Sequence, residues 1–306
     1  MTEFRRPGLR LGALAPLLAL ACMAAPAATA APAATVAGCA PASVETALPA
    51  GVPMLDWSEN LAYDRLGNLW VSRIYRNVVE RYSPSGALTA SVLVEYPGAV
   101  RQGPDGLIYV VTGDSPSSLL QPGGVVRFDP AAADPKPQRF ATGFALPNGA
   151  AFDAAGNLYL TSGSGVIRVR RDGSIDSDWT AQATELAANG IVVQGDSIYL
   201  TANGASLGRV LRIPVDNPAV RSVIATLPSP LPGLSDFADD LALDADGILY
   251  VTTISGQVIR VDPNSGVACT VLTGEPKTSV TPVPGRAGEF LAGTEGGSIL
   301  RVRLSR

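Results

Sequence analysis

Beyond its first fifty residues the chain is a succession of short apolar runs separated by polar turns rich in Asp and Gly. One run recurs. It reads "DRLGNLWVS" (64–72), "GPDGLIYVVT" (103–112), "DAAGNLYLT" (153–161), "QGDSIYLT" (194–201) and "DADGILYVTT" (244–253), with a worn copy "GRAGEFLAGT" at 285–294. Each is a turn followed by a strand-length segment rich in β-branched and aromatic residues. With Trp70, Tyr109, Tyr159, Tyr199, Tyr250 and Leu291 as markers, the spacings are 39, 50, 40, 51 and 41 residues. Behind each marker comes a second strand signature: "VERY" (79–82), "VVRF" (125–128), "VIRV" (166–169), "VLRI" (210–213), "VIRV" (258–261) and "ILRV" (299–302). Its arginines, Arg81, Arg127, Arg168, Arg212, Arg260 and Arg301, stand one per repeat on a mid-sheet strand. That placement reads as a pairing between strands or blades rather than an anion site. Six repeats of 40–50 residues, each holding several short strands, predict an all-β six-bladed β-propeller with four-stranded antiparallel blades over 56–306.

The first thirty residues follow another pattern. Arg5, Arg6 and Arg10 precede the apolar stretch "LGALAPLLALACMAA" (11–25), and Ala28-Thr29-Ala30 fits a small-x-small cleavage site. Fifteen apolar residues are too few to span a bilayer. A cleaved export signal over 1–30 is therefore expected, with a lipid anchor through Cys22 the less favoured alternative. The product would be secreted or periplasmic, with no stable membrane span. Residues 31–55 read as an Ala/Pro-rich lead-in. Removing the signal leaves Cys39 and Cys269, an even pair that reads as one disulfide in an exported protein.

Composition then narrows the chemistry. The chain has no histidine, which excludes Ser-His-Asp triads, Cys-His dyads and His-ligated zinc. A net charge of −4 without basic runs gives no reason to expect a nucleic-acid partner. A monomer acting on a small molecule is expected.

In a propeller the innermost strand of each blade lines the axis, so equivalent positions at its entrance form a ring. Eleven residues before each marker stand Glu59, Gly98, Asn148, Ala188, Asp239 and Val280. The fourth repeat has a turn one residue shorter, which moves its entry to Asn189. Four of six blades then offer an oxygen donor at one level: two carboxylates and two amides. Such a set suits a hard divalent cation, calcium first and then magnesium, manganese or zinc.

The stretches "ENLAYDRLGNLWVS", "PNGAAFDAAGNLYLT", "ANGIVVQGDSIYLT" and "DDLALDADGILYVTT" resemble the regucalcin/gluconolactonase family of six-bladed propellers, from about residue 56 to the C-terminus. The resemblance implies Glu59, Asn189 and Asp239 as metal ligands. It puts Asn148 beside substrate or bound water, and makes Asp239 the proton acceptor in lactone hydrolysis. Two positions depart from that pattern. The family's Asp-Gly is Asp239-Asp240 here, and the arginine of sugar-lactone enzymes is Leu146. The first makes Asp240 a second candidate acceptor, and the second favours a less polar substrate. Arg73, Tyr75 and Arg101 lie near channel-entry loops and are candidate pocket residues. The leading expectation is a metal-dependent lactone or ester hydrolase. The rivals are a non-catalytic NHL-like binding propeller and a strictosidine-synthase-like propeller enzyme.

Overall fold

A computed structural model of the chain describes Cys39 and residues 42–305. The leader read over 1–30, Cys22 included, lies outside the described residues. Six antiparallel sheets form the blades of a β-propeller. The first blade runs Ser58–Tyr63, Leu69–Arg73, Val78–Tyr82 and Leu88–Leu93, from the axis outward. Five blades have four strands. In the third, three strands (Ala150–Phe152, Leu158–Ser162 and Gly165–Val169) are followed by a short helix, Ser177–Thr180. Trp179 of that helix packs edge-on against Tyr159, with ring centroids 5.2 Å apart, and covers the core that a fourth strand covers elsewhere.

The repeat has a plain physical basis. The turn aspartates Asp64, Asp105, Asp153 and Asp244 accept hydrogen bonds from the polar tips of Trp70 (2.9 Å), Tyr109 (2.8 Å), Tyr159 (3.1 Å) and Tyr250 (3.3 Å). Each turn is thereby tied to its own strand, and a buried aromatic has its polar group satisfied. Every marker also faces its repeat's arginine across the ladder, from Trp70–Arg81 to Leu291–Arg301. The Arg81 guanidinium lies 5.6 Å from the Trp70 ring centroid and that of Arg127 5.9 Å from Tyr109, which is cation–π range. The arginine series is structural.

Apolar cores form between neighbouring blades. Trp70 and Val79 of the first meet Ile108, Val110 and Phe128 of the second, and Leu61 and Val71 meet Leu291 and Ile299 of the sixth, closing the ring. Closure also recruits the lead-in. Ala42–Leu48 pairs antiparallel with Ile299–Leu304 as the outermost strand of the sixth blade, so the propeller begins before residue 56. The Cys39–Cys269 bridge forms, tying the approach to that strand to the outer strand Ala268–Leu272 of the fifth blade. Among the described residues no helix is long and apolar enough to cross a membrane.

Candidate functional site

The ladder fixes which residues enter the axis together. The markers pair with Ala62, Arg101, Ala151, Val192, Ala242 and Thr281 on the innermost strands. Three residues before those partners stand Glu59, Gly98, Asn148, Asn189, Asp239 and Thr278. The sixth position is thus Thr278 and not Val280. The turn in "GRAGE" is two residues longer than its counterparts, so counting eleven back from Leu291 stops two residues short. Val280 is instead 2% exposed, in the core between the fifth and sixth blades.

At four of the six entries the ladder slips by one residue, between Ser58 and Asn60, Ala188 and Ile191, Ala238 and Leu241, and Lys277 and Ser279. These are β-bulges, which turn a side chain out of the pleat. They occur at Glu59, at Asn189-Gly190, at Asp239-Asp240 and at Thr278. Hydroxyls at the ends of the second strands then lock entry to entry. Ser72 Oγ donates to the Gly98 carbonyl (2.7 Å), Thr201 Oγ1 donates to that of Asp239 (2.9 Å), and Thr161 Oγ1 donates to that of Asn189. Thr278 Oγ1 donates to the Ser58 carbonyl and links the sixth blade to the first.

The side chains converge. Trp57 Nε1 donates to Glu59 Oε2 (2.6 Å), and Asn148 Nδ2 donates to Glu59 Oε1 (3.3 Å) and to Asp114 Oδ2 (3.0 Å). Asp114 was not legible as a site residue. It lies on the loop between the second and third strands of the second blade, outside the repeated motif. It occupies the place Gly98 leaves open, since a Cβ on Gly98 would lie 2.8 Å from Asp114 Oδ2. The signal was the glycine itself, a ring position with no side chain.

Electrostatically the site is crowded with carboxylates. Burial pushes Glu59 up to about 7, and the Asp240 charge adds to the rise. Burial, then the charge of Glu59, holds Asp114 and Asp239 well above the usual carboxylate range. Asn189 Oδ1 is buried and without a hydrogen-bond partner. Orphaned buried carbonyl oxygens and crowded carboxylates are what a hard cation would satisfy, so the donor set fits one. Among the described residues, no three acidic, histidine or cysteine side chains form a metal cluster by themselves. The amides of Asn148 and Asn189 complete the set.

The remaining candidates lie elsewhere. Asp240 has partners of its own: its Oδ2 accepts from Asn60 Nδ2 (3.0 Å), and Arg101 stands 3.6 Å from its Oδ1. Arg101 lines a cavity of about 520 Å³ at the far end of the channel, so it does not line the same mouth as Glu59. Arg73 is 3% exposed, with its guanidinium committed to Glu80 (2.8 Å) and to the carbonyls of Asp56 (2.6 Å) and Gly297 (2.7 Å), and it supports the loops. Tyr75 is half exposed beside the site, edge-on to Trp57 at 5.5 Å.

No protein-family model matches this sequence. No curated protein matches it either. Solved structures do share its fold. Regucalcin, a calcium-binding protein from Agrobacterium tumefaciens, is 16% identical, with a TM-score of 0.67 over 88% of this chain and 96% of that one. A gluconolactonase from Xanthomonas campestris is 15% identical, with a TM-score of 0.64 over 89% and 99%. A luciferin-regenerating enzyme is also 15% identical, with a TM-score of 0.65 over 86% and 95%. At these identities the likeness is one of architecture: the chain is a six-bladed propeller like theirs.

Proposed function

We propose that this chain is an exported, divalent-metal-dependent hydrolase of a lactone or ester, acting at the ring of carboxylates and amides on the propeller axis. The observation that carries the reading is the convergence of Glu59, Asp114, Asn148, Asn189 and Asp239 from separate blades onto one set, in which Glu59 and Asp239 are buried and the three carboxylates repel one another. The gluconolactonase and calcium-binding propellers of the same fold support it. The Cys39–Cys269 bridge suits an exported protein.

Glu59, Asn189 and Asp239 would hold the cation, with Asp114 beside Glu59 adding a carboxylate that the sequence alone did not suggest. Calcium fits these hard oxygen donors best. Once bound, the cation supplies Lewis-acid polarisation of the scissile carbonyl. The chain's own groups do the rest. Asp239, on the axis beside the place the cation would occupy, accepts a proton from the attacking water as the new carbon–oxygen bond forms. It returns that proton to the departing alkoxide as the acyl–oxygen bond breaks, so water is added overall and Asp239 is restored. Asn148, already donating to Glu59 and Asp114, aligns both carboxylates. Trp57 fixes Glu59 from the other side. Asp240, with Asn60 and Arg101, braces the first and fifth blades beneath the ring.

A panel of lactones and carboxylic esters, assayed with calcium, magnesium, manganese or zinc and after chelation, tests this. Turnover that disappears on chelation, returns with one of these ions and falls about a hundredfold or more in Asp239→Asn is the expected result. A tightly held ion with no turnover of any substrate would replace the hydrolase with a binding propeller.

A further inference from the structure

The register that defines the polar ring defines a second one above it. Two residues before each ring position stand Trp57, Tyr96, Leu146, Ala187, Phe237 and Pro276. All six are apolar or aromatic, none is charged, and none is buried. Phe237 is 45% exposed. Tyr96, Leu146 and Ala187 all adopt positive φ (40°, 49° and 54°), an unfavourable conformation for side-chain-bearing residues, kept in three successive blades at this level. Trp57 is tied directly to the ring below through its bond to Glu59.

Outside this collar the same face carries further exposed apolar side chains. Of the nineteen exposed large hydrophobic side chains among the described residues, eleven lie on loops at the entrance side of the innermost strands. Leu120 is 90% exposed, Leu186 66% and Leu234 64%. Singly such residues need no explanation, but their concentration around one polar opening does.

We infer that the substrate is an ester or lactone with an extended hydrocarbon body, seated in this collar with its carbonyl reaching the ring below. The inference rests on the hydrolase reading for the word substrate; the collar itself stands independently of it. A polyhydroxylated sugar lactone would bring hydroxyls against Leu146, Ala187, Phe237 and Pro276, which offer no side-chain hydrogen bonds. Each hydroxyl desolvated without a partner weakens binding about tenfold. An alkyl tail gains instead. A fully buried methylene is worth about fourfold in affinity, and a half-open collar roughly twofold per carbon.

The test uses the full chain loaded with calcium. Turnover is measured on γ-lactones with alkyl tails of two to eight carbons and on D-glucono-1,5-lactone. Binding is measured by tryptophan fluorescence, to which the half-buried Trp57 contributes, with the matching 2-alkyltetrahydrofurans, which lack a scissile carbonyl. We expect kcat/KM and cyclic-ether affinity both to rise roughly twofold per carbon. Leu146→Asn, which tolerates the left-handed backbone, and Phe237→Ser should each flatten both slopes while calcium affinity and Tm stay near wild type. Unchanged calcium affinity and Tm would show that the variants fold. Affinity rising with tail length but without turnover of any lactone would support the apolar collar and sink the hydrolase. Turnover of the sugar lactone with no dependence on tail length would overturn the apolar substrate and leave the hydrolase standing. Flat binding together with no turnover would overturn both.

Discussion

Residue scale shows how the site was built and how far it could be read. Glu59, Asn148, Asn189 and Asp239 were legible because they share one offset from a repeated strand. Asp114 was not, since it reaches the ring from a loop of unrelated sequence to fill the gap above Gly98. Two substitutions examine that arrangement. Asp114→Asn should weaken calcium binding about tenfold by calorimetry, because a hard cation follows ligand charge. It should also raise the Tm of the chelated protein, because it relieves a buried carboxylate crowd. Gly98→Ala would set a methyl group 2.8 Å from Asp114 Oδ2 and 2.9 Å from the Asn148 carbonyl, so one of them must move. We expect a loss of about 1–3 kcal/mol in denaturant unfolding, with weakened calcium binding, as overpacking costs in closely fitted interiors. A Gly98→Ala protein as stable as wild type would show that Asp114 does not fill that place.

At the scale of elements, strand type and arginine pairing followed from the recurring apolar runs behind Asp/Gly turns and the constant marker-to-arginine order. Two local features escaped it. The helix Ser177–Thr180 is a single turn, too short for a 3.6-residue period to show, so the third blade read like the others. The longer turn before Leu291 moved the sixth entry from Val280 to Thr278. The helix also makes a pH prediction. Asp176 accepts from Arg168 Nε (2.9 Å), pairs with Arg170 (2.9 Å) and caps the helix. The Arg168 hydrogen bond is the main reason its carboxyl lies below the usual 3.8. A depressed carboxylate stabilises the fold fully above its unfolded pKa, and that contribution is lost as pH falls through the lower folded value. Asp176→Asn should therefore cost about 1–2 kcal/mol at pH 7. The gap to wild type should close below pH 3.8, as chemical unfolding across pH would show. A constant gap would contradict the ion pairing.

For the whole molecule, ring closure decides stability. The sequence suggested a Cys39–Cys269 bridge and six blades. It did not reveal that residues 42–48 supply the last strand, because "ASVETAL" carries too little apolar alternation to stand out from its Ala/Pro-rich surroundings. Reduction, or Cys269→Ser, should lower stability by about 2–4 kcal/mol, since the bridge closes a 230-residue separation. The central claim is that the blades together build one cation site on the axis. Calorimetric calcium titration of wild type, Glu59→Gln and Asp239→Asn tests it most directly. The account predicts one ion per chain, with affinity reduced at least tenfold in each variant. No binding by wild type, or equal binding by all three, would contradict it.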